Sequence, residues 1–114
     1  MISKDALIKG SLPEKEVELP GKGTVRVRGL TRAEVIRIGV LGREGKFDEA
    51  EVVILAAGLV EPSLTEDEVR QWRDSVPSTD VDPVADAIQA LSGLGEGAEK
   101  KMLNEAVQTF RSES

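Results

Sequence analysis

Glu16-Val17-Glu18-Leu19-Pro20-Gly21-Lys22-Gly23-Thr24-Val25-Arg26-Val27-Arg28 is the stretch that decides how this chain begins to fold. Apolar and charged residues alternate with period two on both sides of a Pro/Gly turn, which predicts a β-hairpin over residues 14–29. Parity suggests a register. With Val17 opposite Val27 and Leu19 opposite Val25, Glu18 faces Arg26 and Glu16 faces Arg28. All apolar side chains then share one face, and opposite charges meet across the other. That pairing needs a five-residue loop, Pro20 to Thr24. A slip by one residue would set valines against arginines.

Upstream, residues 1–13 end at Pro13 and read as a flexible N-terminal segment. Downstream, the pattern switches from period two to helical spacing. Thr31 followed by Glu34 is a capping-box pair, and Val35, Ile38 and Leu41 form an apolar stripe that Gly42 can end. Asp48 can cap a second helix over Ala50–Ala57, almost wholly apolar and so largely buried, closed by Gly58 and kept from resuming by Pro62. Thr65 with Glu68 repeats the capping box and opens a third helix, Glu66 to about Asp74, carrying Val69 and Trp72. A fourth runs from about Asp80 to Ser92 with Pro83 in its first turn. Gly93, Gly95 and Gly97 then break the chain before a last helix, about Ala98 to Arg111. The expected fold class is mainly α: an N-terminal β-hairpin followed by a compact bundle of about five short helices. Residues 14–111 make a single domain, with the helices in 31–111.

Length and composition bound what such a domain can do. At 114 residues the chain suits one small domain with one modest core. There is no Cys and no His, which excludes disulfides, thiolate zinc sites, haem ligation, cysteine nucleophiles and imidazole-dependent triads. The net charge of −6 is uneven: residues 1–46 carry ten Lys/Arg against six Asp/Glu, residues 47–114 five against fifteen. An acidic second half argues against nucleic acid as the main partner, because phosphate binding needs clustered cations. The start of the chain is charged, no signal peptide is visible, and the longest apolar stretch, Val52–Val60, is too short to span a bilayer.

Four constellations invite chemistry and each has a blander reading. Gly93-Leu94-Gly95-Glu96-Gly97 with Lys100-Lys101 lacks the preceding strand and following hydroxyl of a phosphate loop, so it reads as a helix connection. Asp80, Asp82 and Asp86 lack the turn glycine and terminal Glu of a calcium loop, and acids are expected in a helix's first turn. Glu61 and Glu66-Asp67-Glu68 have no partner that would make them an acid and a base. Arg26, Arg28, Arg32 and Arg37 have no interleaved aromatics and lie close to Glu16, Glu18 and Glu34, so they read as a partly ion-paired face. No catalytic residue, cofactor site or metal site is assigned, and the chain reads as non-enzymatic. One feature points outward: Met102, Ala106 and Phe110 share a helix face after a glycine-rich joint and, with Ile88 on the preceding helix, are the candidate partner-binding residues. The alternative is that these stripes close the core.

In order along the chain, the hairpin runs into Gly29-Leu30-Thr31-Arg32-Ala33-Glu34. Leu59-Val60-Glu61-Pro62-Ser63-Leu64-Thr65-Glu66, Val69-Arg70-Gln71-Trp72 and Ile88-Gln89-Ala90-Leu91-Ser92-Gly93-Leu94 follow. This series resembles the tail assembly chaperones of long-tailed bacteriophages, especially those infecting actinobacteria, over roughly residues 14–111. The resemblance implies a non-enzymatic protein that binds the helical tape-measure protein in the host cytoplasm. Such a protein keeps its client soluble while tail-tube subunits polymerise, and is absent from the mature virion. It also implies self-association and, in many such phages, a longer frameshifted form that recruits the tail tube protein. A small head–tail connector or adaptor retained in the virion is the rival reading.

Overall fold

The computed structural model describes residues 1–94. In chain order these form α1 (Lys4–Ile8), β1 (Glu14–Leu19), β2 (Gly23–Arg28), α2 (Arg32–Arg43), α3 (Phe47–Gly58), β3 (Leu59–Glu61), α4 (Glu66–Ser75) and α5 (Ser78–Leu91). The three strands make one antiparallel sheet in the order β1-β2-β3. The hairpin is therefore present, but the helices are not a pure bundle: they pack beside a small sheet.

The hairpin register differs from the parity argument by two residues. Val17 pairs with Val25, Glu16 with Arg26 and Glu14 with Arg28, and Leu19 sits opposite Gly23. The turn decides this. Pro20 fixes one φ, Gly21 takes a φ of 77°, and the Lys22 N–H returns to the Leu19 carbonyl at 2.9 Å, a type II arrangement that closes in three residues rather than five. A shift by two leaves every side chain on its face, so the separation survives: Val17, Leu19 and Val27 are buried, and the glutamates and arginines line the other side.

The helix boundaries show where glycine does and does not act. α2 passes through Gly42 and ends at Arg43, because Gly45, at a φ of 76°, provides the left-handed turn. Lys46 N–H reaches Leu41 O at 2.9 Å and Gly45 N–H reaches Gly42 O at 3.1 Å, a Schellman closure. α5 closes the same way at Gly93, with Leu94 N–H on Gln89 O at 2.7 Å. α3 starts at Phe47, ahead of Asp48, so Asp48 lies in the first turn instead of capping it. α5 starts at Ser78, two residues earlier than Asp80, and Pro83 falls in its second turn. Both capping boxes, Thr31/Glu34 and Thr65/Glu68, are formed.

Two elements lay outside the sequence expectation. The N-terminal segment contains α1, capped by Ser3 but burying none of its residues. β3 follows α3 directly and adds to the hairpin's open edge, pairing Val27 with Leu59 and Arg26 with Glu61 across an irregularity. The last expected helix, 98–111, lies outside the described residues.

The core joins the apolar sheet face to α3 and α5. Val27, Leu55, Val69, Val84 and Ile88 are fully enclosed, with Val25, Val35, Ile38, Leu64 and Trp72 packed around them. Each fully buried aliphatic side chain contributes about 1.5–3 kcal/mol of transfer free energy. At Gly58 α3 packs directly on α5: a Cβ there would lie 2.4–2.7 Å from three atoms of Ile88. The remaining ends of α5 are tied to the sheet. Asp80 in its first turn is buried and ion-paired with Lys22 at the hairpin tip. At the other end, Leu30 N–H donates to Ser92 Oγ at 2.8 Å, and Ser92 Oγ donates to Ile88 O at 2.6 Å.

Candidate partner-binding face

The outward chemistry of the molecule is concentrated on α2. Its start is fixed from both sides. Thr31 and Glu34 exchange capping bonds, 3.2 Å to the Thr31 hydroxyl and 2.8 Å to the Glu34 carboxylate. The same carboxylate takes both terminal nitrogens of Arg28, at the end of β2, at 3.0 Å each. This forked pair pulls the Glu34 carboxyl down to about 2 and raises the Arg28 guanidinium, in each case chiefly through the shared hydrogen bonds. The pair anchors the helix and has the geometry of a brace.

Beyond the anchor, α2 presents two apolar sides. Val35 and Ile38 pack inward against the core, while no residue of the helix is fully buried. Ile36 and Val40, one helical turn apart on the outer side, are 51% and 39% exposed. At the corner into α3, Phe47 is 72% exposed. Among the described residues this is the exposed apolar group carried by regular, core-packed helices; the other exposed aliphatics, Met1, Ile2, Leu7, Ile8 and Leu12, belong to the N-terminal segment. Arg32, Arg37 and Arg43, all exposed, flank the ridge. Arg37 reaches Glu66 at 3.5 Å, an exposed contact worth little in solvent.

A cleft of about 530 Å³ lies between the start of α3, the end of α4 and the start of α5, with Asp48, Glu51, Asp74 and Asp82 on its walls. Its cation Arg73 is already held by Glu51 at 2.8 Å and Asp48 at 3.3 Å, and Arg70 by Asp67 at 2.9 Å. The Arg73 contacts tie α4 to α3, and the Arg70 pair lies within α4. Among the described residues no three carboxylates gather as a metal-holding group.

The structure places the sequence candidates unevenly. Ile88 is a core residue with 0% exposure against Gly58, so in this fold it offers no surface to a partner. Its helical stripe was read correctly, but the stripe faces inward. Met102, Ala106 and Phe110 lie outside the described residues. Of the arginine patch, Arg26 is paired with Glu14 and Glu61 and Arg28 with Glu34, as an ion-paired face requires. Asp80 is occupied by Lys22. What the sequence reading missed is the outer side of α2: Ile36 and Val40 alternate with the inward Val35 and Ile38, and a period-3.6 search reports only the stripe that meets the core. No helix among the described residues is long and apolar enough to cross a membrane. Comparison with family models, curated proteins and solved structures found no match.

Proposed function

We propose that the chain is a phage tail assembly chaperone, non-enzymatic, which binds the tape-measure protein and keeps it soluble during tail tube assembly. The motif series over residues 14–111 supports the family, and the exposed α2 ridge supports the activity. A tape measure is a long helix with apolar stripes, and a chaperone must cover such stripes without holding them permanently. Ile36 and Val40, one turn apart on α2, offer a short apolar strip of that kind, with Phe47 exposed at the start of α3, and the arginines of α2 suit a client helix edged with carboxylates. On this reading the protein works in the cytoplasm of the bacterial host, self-associates, and leaves before the virion is complete; a longer frameshifted form would bring in the tail tube protein.

The test is co-expression with the tape-measure protein of the same genome, followed by size-exclusion chromatography. The expected result is a soluble co-eluting complex from a client that is insoluble alone, abolished by Ile36→Asp with Val40→Asp while the circular dichroism melt stays within a few degrees of the parent. A client that stays insoluble with both the short and the frameshifted forms refutes the reading. Recovery of the chain in purified particles instead identifies a head–tail connector or adaptor.

A further inference from the structure

We infer that the outer edge of β1 is a second docking surface, and that it takes an extended segment of a partner protein in which basic and β-branched residues alternate. The sheet order leaves β1 at one edge, and the register decides which of its backbone groups stand open. Gly29 N–H donates to Pro13 O at 2.8 Å, which makes Pro13 and Gly29 a hydrogen-bonded pair in line with the strand register. Such pairs recur at every second residue of an antiparallel ladder, so Lys15, Val17 and Leu19 direct their N–H and C=O groups at β2. Glu14, Glu16 and Glu18 direct theirs away from it. Among the described residues these outward groups have no backbone partner.

Over Glu14–Leu19 the edge has no proline and no bulge, and what guards it is charge: Glu14, Lys15, Glu16 and Glu18 are all exposed. Charge is a selective guard. In any antiparallel pairing with a second copy of β1, outward residues meet outward residues, so glutamate faces glutamate, which is destabilising. A strand with Lys or Arg at those positions meets opposite charges instead. The inner edge of β1 already holds a strand of that kind. Val25-Arg26-Val27-Arg28 sets Arg26 opposite Glu16 and Arg28 opposite Glu14, with its valines on the core face. β2 is itself held between β1 and β3, so a second copy cannot supply it. The inner pairing leaves the acids only partly answered. Arg26 is shared between Glu14 at 3.4 Å and Glu61, and Arg28 is committed to Glu34. Glu16 and Glu18 hold no ion pair among the described residues. Lys15 is exposed on the other face, so the occupant's apolar residues belong level with the buried Val17 and Leu19. No residue of α2 takes part, and the inference stands whatever α2 binds.

The probe is a capped synthetic peptide of six residues, the length of β1, alternating valine and arginine; its control has glutamate in place of arginine. Either is added to the full-length chain, and fast amide exchange with water is read residue by residue by NMR. The Glu14, Glu16 and Glu18 amides should exchange fast in the free chain. They should slow about tenfold at a peptide concentration roughly ten times its dissociation constant, and not with the control. The Lys15, Val17 and Leu19 amides, already bonded to β2, should be slow throughout. No binding, or binding that leaves the three glutamate amides fast, overturns the proposal. Slow exchange of those amides that grows with chain concentration overturns it in favour of a second copy, and protection at every concentration without peptide overturns it outright. A second measurement compares affinities by peptide fluorescence anisotropy. Glu16→Gln removes one charge and should weaken binding about two- to fivefold. Glu16→Pro also removes an outward N–H while leaving the ladder to β2 complete, and should weaken binding at least about tenfold. A fall no larger for Glu16→Pro than for Glu16→Gln contradicts strand addition.

Discussion

Replacing Gly58 by Ala tests whether the α3–α5 contact is as close as the structure places it. The new Cβ would meet Ile88 Cδ1, Cγ1 and Cγ2 at 2.4, 2.6 and 2.7 Å. Real Cβ atoms do not come so near, and Ile88 is fully enclosed, so it has no free space to turn into. Overpacking of this kind costs about 1–3 kcal/mol, offset by up to about 1 kcal/mol from removing a helical glycine. A net loss of about 1–2 kcal/mol is expected. For a domain this size that lowers Tm by about 4–10 °C, measurable by circular dichroism and by the urea midpoint. The decisive arm is the double-mutant cycle. Ile88→Ala alone should cost about 2–5 kcal/mol, but it deletes all three clashing atoms. In that background Gly58→Ala should be neutral or stabilising, giving a coupling of at least about 1 kcal/mol. A neutral Gly58→Ala in the parent chain, or an equal cost in both backgrounds, would refute the packing and reopen Ile88 as a surface residue.

Three further outcomes follow from single contacts. Glu34→Gln keeps the capping geometry and removes the charge facing Arg28. The folded carboxyl, at about 2, lies below its unfolded value near 4.5, so its contribution is present above about pH 4.5 and lost as pH falls towards 2. Chemical denaturation should show the variant about 1 kcal/mol less stable at pH 7, with the gap closing across that window. Gly42→Ala meets no atom within 4 Å and sits inside a helix, so thermal melts should rise, corresponding to about 0.5–1 kcal/mol. Thr65→Ala deletes one half of the second capping box, and the same melts should report a loss of about 1 kcal/mol.

Much of this architecture is legible in the residues, for reasons that differ by element. Alternation assigns hairpin faces, since a face depends only on parity, but it leaves the register open by steps of two. Here Pro20 and Gly21 close the turn in three residues and choose among them. The capping boxes at Thr31 and Thr65 mark helix starts to the residue because their signal is local side-chain chemistry. Helix ends were less readable. Gly42 and Gly45 are equivalent as letters, and only the backbone shows which one turns left-handed. β3 escaped notice because three residues are too few to show a period, and its partner strand lies more than thirty positions away. The candidate face was partly legible: the basic character around α2 is visible in the sequence, but which of its two apolar sides meets the core depends on how α3 packs against it.

The attachment of α5 at both ends has a kinetic consequence. With Lys22 at Asp80 and Leu30 at Ser92, the hairpin and α5 share their fastenings, so neither can open without the other. α2 has its buried-side brace at the first turn, has one exposed contact farther along, Arg37 with Glu66, and leans chiefly on α3. Native-state exchange should therefore divide the amides into two populations. The hairpin and α5 would exchange only when the whole molecule unfolds. The second half of α2 would exchange through a cheaper, separate opening, pivoting on Arg28 and Glu34 as a gate does on its post. The exposed side of α2 is then carried by the part of the molecule that can yield without opening the rest.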